Sequence, residues 1–206
     1  MSVISDSKNF CFIHIHRTGG TTVKEVISKQ VDDLRLIYGN ICTLDTAINF
    51  YPYIKNYNIF SYVRNPYDLV VSIYENIMSD PNIIDYYAIK NLSFYEFINW
   101  LYYVGFKKEE TNYSTFYRTQ TDFLSVNNAI KTNHIFKFET LSNDNHTSSL
   151  STILLNLNLE FSNIPFTNRS NRKICFQDYY DLKSYRLVNK IYKDDFINFK
   201  YKMYVC

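Results

Sequence analysis

Arg17-Thr18-Gly19-Gly20-Thr21-Thr22 is the segment of this chain best equipped for chemistry. The chain holds only 4 glycines in 206 residues, and two of them stand side by side here. Glycine lets a backbone turn sharply and come close to a ligand. Loop N–H groups that run into a helix N-terminus make a cradle for an anion. Arg17 adds a fixed positive charge with several donors. Thr21 and Thr22 are placed to cap the helix and to offer hydroxyls to the same anion. These features favour a phosphate or sulfate cradle over an ordinary capped turn. The loop departs from the pattern G-x-x-x-x-G-K-[ST] of nucleoside-triphosphate sites. Ile15 stands where that pattern has its first glycine, and Thr21 where it has lysine. No carboxylate is placed at a strand end to hold magnesium, so no metal is expected.

A second anion site is encoded in Ser61-Tyr62-Val63-Arg64-Asn65-Pro66-Tyr67-Asp68 and the residues after it. Arg64 closes an apolar run, and Ser72 follows in a helical pattern. From Pro66 to Ser72 a helix rises about 9 Å, a span that an arginine side chain largely covers. Arg64 and Ser72 are thus placed to hold one anionic group from two sides. Ser72 falls in a polar stripe with Asp68, Glu75 and Ser79, away from the apolar face.

Both motifs need a strand on one side and a helix on the other, and the chain supplies them. Asn9 to His16 is a short apolar run of buried-strand type. Thr22 to Val31 keeps Val23, Val26, Ile27 and Val31 at helical spacing. Leu34 to Tyr38, Asn58 to Arg64 and Asn133 to Phe138 predict further strands. Thr43 to Ile54 predicts a helix that Pro52 interrupts. Pro66 suits the first position of a helix, with Leu69, Val70, Ile73, Tyr74 and Ile77 as its core face. Ser93 and Glu96 form a capping-box pattern at the start of another. Ser149 to Leu157 reads as a short helix, and Asp181 to Phe199 as one amphipathic helix. Lys107 to Arg118 and Ser162 to Lys173 are polar and read as loops. Without a repeat or a linker, residues 1–206 form one domain. Alternating strands and helices predict an α/β fold, a mostly parallel central sheet flanked by helices. Ligands in such folds bind beyond the carboxyl ends of the strands.

Composition removes several classes of function. Apolar residues make up 46% and aromatics 18%, too much for a disordered tail. A net charge of +2 leaves no broad electrostatic footprint for nucleic acid. The four cysteines show no C-x-x-C spacing, so neither a zinc knuckle nor a redox motif is encoded. No signal peptide or membrane segment is visible. The expected location is a reducing one, the cytoplasm.

Phe-Ile-His-Ile-His-Arg-Thr-Gly-Gly-Thr-Thr, residues 12–22, resembles the 5′-phosphosulfate loop of sulfotransferases, F-I-H-I-P-K-T-G-G-T-T. Tyr-Val-Arg-Asn-Pro-Tyr-Asp-Leu-Val-Val-Ser, residues 62–72, resembles their 3′-phosphate motif, V-R-N-P-Y-D-R-L-V-S. Thr121 to Leu124, Ile135 to Leu141, Asn168 to Ser170, Tyr179-Tyr180 and Ile191 to Phe196 are similar to later segments of the family. The group is the membrane-type, carbohydrate-directed sulfotransferases with their soluble bacterial and viral relatives. The likeness runs through nearly the whole chain and is loosest from Tyr74 to Arg118.

The resemblance implies a P-loop-like fold and the donor 3′-phosphoadenosine 5′-phosphosulfate. It implies transfer of the sulfuryl group to a hydroxyl or amine, on a glycan or a small metabolite. Arg17 stands at the family's catalytic lysine and would neutralise the leaving 5′-phosphate. Thr18, Gly19, Gly20, Thr21 and Thr22 would cradle the phosphosulfate, and Arg64 and Ser72 would hold the 3′-phosphate. Asn168, Arg169 and Ser170 resemble the loop that closes over the nucleotide. Such a reaction is positioning plus charge stabilisation and requires no metal.

Three residues depart from the pattern: Arg17 for lysine, His16 for proline and Leu69 for arginine. The family often has a histidine between its two motifs as the acceptor's base, and none lies between Gly20 and Arg64. Candidates are His16, which is expected to titrate near neutrality, then His14, Glu75 and Asp45. Two alternatives stand beside the sulfotransferase. One is a catalytically silent nucleotide-binding relative, the other a nucleotide-dependent phosphotransferase.

Overall fold

The computed structural model describes residues 1–37, 42–83, 85–105, 117–141, 148–160 and 174–204. In chain order come strands β1 (Val3–Ser5) and β2 (Phe10–Ile13), helix α1 (Gly20–Ser28), strand β3 (Arg35–Leu36), helix α2 (Leu44–Phe50) and strand β4 (Asn58–Val63). Helices α3 (Pro66–Ser79), α4 (Tyr86–Ile89), α5 (Phe94–Trp100) and α6 (Gln120–Leu124) follow. Strands β5 (Ser125–Val126), β6 (Ala129–Ile130) and β7 (His134–Lys137) precede helices α7 (Ser149–Asn156), α8 (Leu182–Ile191) and α9 (Lys193–Asn198). The chain forms two compact units, Met1–Arg64 with Gln120–Arg169, and Asn65–Thr119 with Ser170–Cys206.

The first unit carries a five-stranded sheet in the order β3-β1-β2-β4-β7. β2, β4 and β7 pair in parallel, with Phe12 opposite Phe60 and Phe60 opposite His134. β1 runs antiparallel to both β2 and β3, so β3 points the same way as the three parallel strands. The sheet is therefore mixed by pairing, with β1 as its one reversed strand. β1 lies in Met1 to Lys8, where no element was expected, because three residues are too few to show a period. It forms a hairpin with β2 through Asn9, which sits at φ 50.

One face of the sheet presents Phe10, Phe12, Phe60 and Tyr62 to Val23, Val26 and Ile27 of α1 and to Leu150, Ile153 and Leu154 of α7. Each side chain so buried contributes roughly 1.5–3 kcal/mol. The other face buries Cys11, Ile13 and Val63. The Cys11 thiol is pushed up by burial and by Cys42. α2 stops at Phe50, and Pro52–Asn56 continues as a 3-10 turn, as Pro52 dictates.

In the second unit α3, α5, α8 and α9 share a core of Tyr67, Val70, Ile73, Phe97, Val188 and Phe196. α3 begins where Pro66 takes the first helical position and Asn65 Oδ1 accepts the Tyr67 N–H at 3.0 Å. The capping box at α5 is present, with Ser93 N–H donating to Glu96 Oε2 at 2.8 Å. The expected single helix Asp181–Phe199 is two helices. Tyr192, at φ −104 and ψ 24, ends α8 and precedes α9. Val188, Tyr192, Phe196 and Phe199 stay buried across that bend, while Leu182 and Ile197 are exposed. No helix among the described residues is long and apolar enough to cross a membrane.

Candidate functional site

β2 and β4 are adjacent and parallel, so the residues that follow them emerge at one edge of the sheet. That edge is the carboxyl end of the strands, where α/β folds place ligands. Arg17 leaves β2 through His14, Ile15 and His16, and Arg64 leaves β4 directly.

The glycine loop is tightly built. Arg17 sits in the left-handed region at φ 62, a conformation that costs a non-glycine residue roughly 1–2 kcal/mol. Thr18 is fully buried, and its hydroxyl donates to the Ile15 carbonyl at 2.8 Å. That hydroxyl therefore closes the loop on itself. Gly19 is also left-handed, at φ 84, and is the N-cap of α1 without any side-chain capping bond. Val23 N–H makes the first helical bond, to Gly19 O at 3.3 Å. The N–H groups of Gly20, Thr21 and Thr22 come before it, at the positive end of the helix dipole. No acidic residue lies in that first turn.

One expectation about the loop is corrected. The helix starts at Gly20, not Thr22, so Thr21 and Thr22 are helical residues and cannot cap it; Thr21 is exposed and Thr22 buried. The glycines also answer to neighbours inside the protein. A Cβ on Gly19 would stand 2.5 Å from Leu141 Cδ2 and 3.0 Å from Phe138 Cδ2, and one on Gly20 would run into the His14 ring.

Arg64 is 8% exposed and meets the loop directly: its Nη1 donates to the Arg17 carbonyl at 2.8 Å. Its guanidinium lies 4.3 Å above the Phe138 ring, a cation–π contact. Its own backbone is gripped by one side chain. Gln120 Oε1 accepts the Arg64 N–H at 2.7 Å, and Gln120 Nε2 donates to the Arg64 carbonyl at 2.9 Å. Burial and the Arg64 charge together push the Arg17 pKa down. Two arginines, a helix N-terminus and a left-handed loop thus converge at the ends of adjacent strands. The residues suit an elongated ligand with more than one anionic group. The profile of the sulfotransferase family matches residues 1–202.

The chain belongs to the sulfotransferase family. Members of that family are enzymes, and they generally take the sulfuryl group from 3′-phosphoadenosine 5′-phosphosulfate. No curated protein and no solved structure matches the chain.

In this sulfotransferase His16 is half-buried beside Arg17. Burial first, then the Met1 amine and Arg17, lower its pKa to about 4. The expectation that it titrates near neutrality is corrected: its imidazole is neutral there. His14 is lower still, at about 3, chiefly by burial, with the Met1 amine, His16 and Lys24 adding to it. The Met1 amine donates to His14 Nδ1, and the His14 ring fills the space beside Gly20, so His14 is a packing residue. Asp45, in the first turn of α2, accepts from Asn49 Nδ2 at 3.4 Å.

The second unit holds Ser72 and Glu75. Ser72 is 3% exposed and Asp68 is 9%, so the polar stripe is buried along its first half. Glu75 Oε1 accepts the Tyr179 hydroxyl at 2.8 Å. Asn168, Arg169 and Ser170 lie outside the described residues. Gln120 and Phe138 were missed as parts of the site. Both fall in or beside segments that resemble the family, Thr121–Leu124 and Ile135–Leu141, and that was the one signal available.

Proposed function

We propose that the protein transfers the sulfuryl group of 3′-phosphoadenosine 5′-phosphosulfate to a hydroxyl, or an amine, of a carbohydrate or small-molecule acceptor. Residues 1–206 act as one sulfotransferase domain of P-loop-like design, both compact units included. The observation that carries this reading is the Arg64–Arg17 contact at the mouth of two parallel strands, with the α1 N-terminus beside it. Cations and N–H dipoles gathered this closely suit a nucleotide that bears negative charge at both ends of its ribose.

The donor supplies the sulfuryl group and a phosphate that leaves. Arg17 neutralises charge on that phosphate, and the N–H groups of Thr18, Gly19, Gly20, Thr21 and Thr22 hold it. Arg64 binds the 3′-phosphate. Ser72 and the closing residues Asn168, Arg169 and Ser170 are assigned on their motifs alone. His16, neutral across the physiological range, accepts the acceptor's proton. Free thiols at Cys11, Cys42 and Cys175 support a reducing, cytoplasmic setting.

One observation favours a second reading. A histidine held at about 4 is a weak base, which suits a nucleotide-binding relative that has lost transfer. Calorimetry and turnover separate the possibilities. Adenosine 3′,5′-bisphosphate should bind without magnesium, and label from the sulfated donor should reach a member of a sugar panel. Tight binding without turnover would favour the silent relative; magnesium-dependent ATP binding would favour a phosphotransferase. Arg64→Ala should weaken bisphosphate binding more than Ser72→Ala. A charge-assisted bond is worth roughly 1.5–3 kcal/mol and a neutral one about 1. Unchanged binding in both variants would remove the 3′-phosphate site.

A further inference from the structure

Arg64 and Gln120 form a chain of contacts that ends on Arg17. Gln120 is fully buried and spends both ends of its amide on the Arg64 main chain, at 2.7 and 2.9 Å. The Arg64 N–H and carbonyl lie just past the end of β4, outside the strand ladder. A buried main-chain group without a partner is costly, and Gln120 supplies both partners. The Arg64 side chain is then fixed twice more, by the Phe138 face at 4.3 Å and by the Arg17 carbonyl at 2.8 Å.

The last contact matters most. Arg17 is held at φ 62, where a non-glycine residue stays only if its surroundings hold it there. Arg64 Nη1 takes the carbonyl of that same strained residue. The direction of the Arg17 side chain depends on this peptide, and so does the start of the N–H series that runs into α1.

We propose that Arg64, braced by Gln120, is a positioning residue for the 5′ loop, separately from any contact it makes with a 3′-phosphate. This rests on the nucleotide reading above and goes beyond it. Arg64 then governs ligands that carry no 3′-phosphate at all. A residue that served the 3′-phosphate alone would leave such ligands untouched. Gln120, which reaches the loop through Arg64, should behave as Arg64 does.

The test is a binding cycle by calorimetry, with adenosine 5′-monophosphate and adenosine 3′,5′-bisphosphate as probes, on the full chain. The variants are Arg64→Lys, which keeps the charge without the planar fork, and Gln120→Glu, which keeps an acceptor for the Arg64 N–H. Arg64→Lys should weaken both probes, the monophosphate by about tenfold. Gln120→Glu should weaken both by similar factors, with thermal melts confirming that each variant is folded. If Arg64→Lys weakens only the bisphosphate, the positioning role is overturned and the nucleotide reading stands. If the wild-type protein binds neither probe, the nucleotide reading itself fails. Should Gln120→Glu melt far below the wild type, Gln120→Met carries the same comparison; normal monophosphate binding in that variant would remove Gln120 from the proposal.

Discussion

The His14 imidazole occupies the space that a side chain on Gly20 would need. Gly20 is the first residue of α1, and its φ lies outside the left-handed region. Helix propensity alone would make Gly20→Ala stabilising by about 1 kcal/mol. Packing predicts the opposite sign, because overfilling a closed site costs roughly 1–3 kcal/mol. Gly20→Ala should therefore lower the melting temperature by several degrees. The double variant with His14→Ala should recover part of the loss. A rise in melting temperature for Gly20→Ala alone would show that the His14 ring yields freely.

Arg17 combines a left-handed backbone with the charge assigned to the leaving phosphate. Arg17→Ala and Arg17→Gly should both lose sulfuryl transfer. They should differ in stability, since glycine relieves the backbone and alanine keeps the strain. The difference is expected to be about 1 kcal/mol in favour of glycine, read as roughly 2–4 °C in a melt. Full transfer activity in either variant would sink the assignment of Arg17. Equal melts would mean that the loop relaxes once the side chain is gone.

Much of this site could be read from residue order. Pro66 after Asn65 fixed the start of α3, and Ser93 with Glu96 fixed the start of α5. The doubled glycine marked the junction of β2 and α1. What could not be read were choices made by distant partners. Gly20 is small because of His14, a side chain six residues earlier that folds back onto it. Gln120 grips a main chain 56 positions away, and an amide carries no sequence pattern for that task. The bend at Tyr192 is invisible because the apolar period of α8 continues into α9. The three residues of β1 become a strand only through β2 and β3 on either side.

Acid should destabilise the protein progressively. Burial holds His14 at about 3 and His16 at about 4 in the folded chain, below the ordinary 6.5. Protons thus bind the unfolded chain first. The histidines' contribution is full above pH 6.5 and is lost as the pH falls towards 4 and then 3. Asp33 accepts from Ser5, from the Asp6 N–H and from Ser7, and these bonds lower its pKa to about 2. Its contribution is present above the ordinary 3.8 and is lost below it. Burial, then Lys24, lowers the Met1 amine from 8.0 to about 6, so denaturant midpoints measured from pH 8 to pH 3 should fall gently at first and more steeply below 6.5. A flat profile down to pH 4.5 would contradict the depressed histidines.

His16 should also report the ligand. Its pKa is low through burial first and then through the positive Met1 amine and Arg17. An anion held at the loop offsets those charges and favours the imidazolium. Saturating adenosine 3′,5′-bisphosphate should raise the His16 pKa, as followed by the ring proton shifts in an NMR titration. A value that stays at its free level would place the bound anion away from His16.

The chain leaves the first unit after Arg64 and returns to it at Gln120. The clamp between these two residues ties off the neck of the 55-residue excursion, 65–119. Closing a loop of that length costs on the order of 3 kcal/mol in chain entropy before any contact repays it. The clamp is therefore expected to form late in folding, once pairing of β4 with β7 has already closed most of that loop. Its loss should leave the folding rate nearly unchanged and speed unfolding, the pattern expected in a chevron of Gln120→Met. A slowed folding limb would mean that the neck closes early. With only the unfolding limb moved, Gln120 would act as a latch on the lifetime of the assembled site, leaving the search for the fold untouched and delaying the moment when the fold lets go.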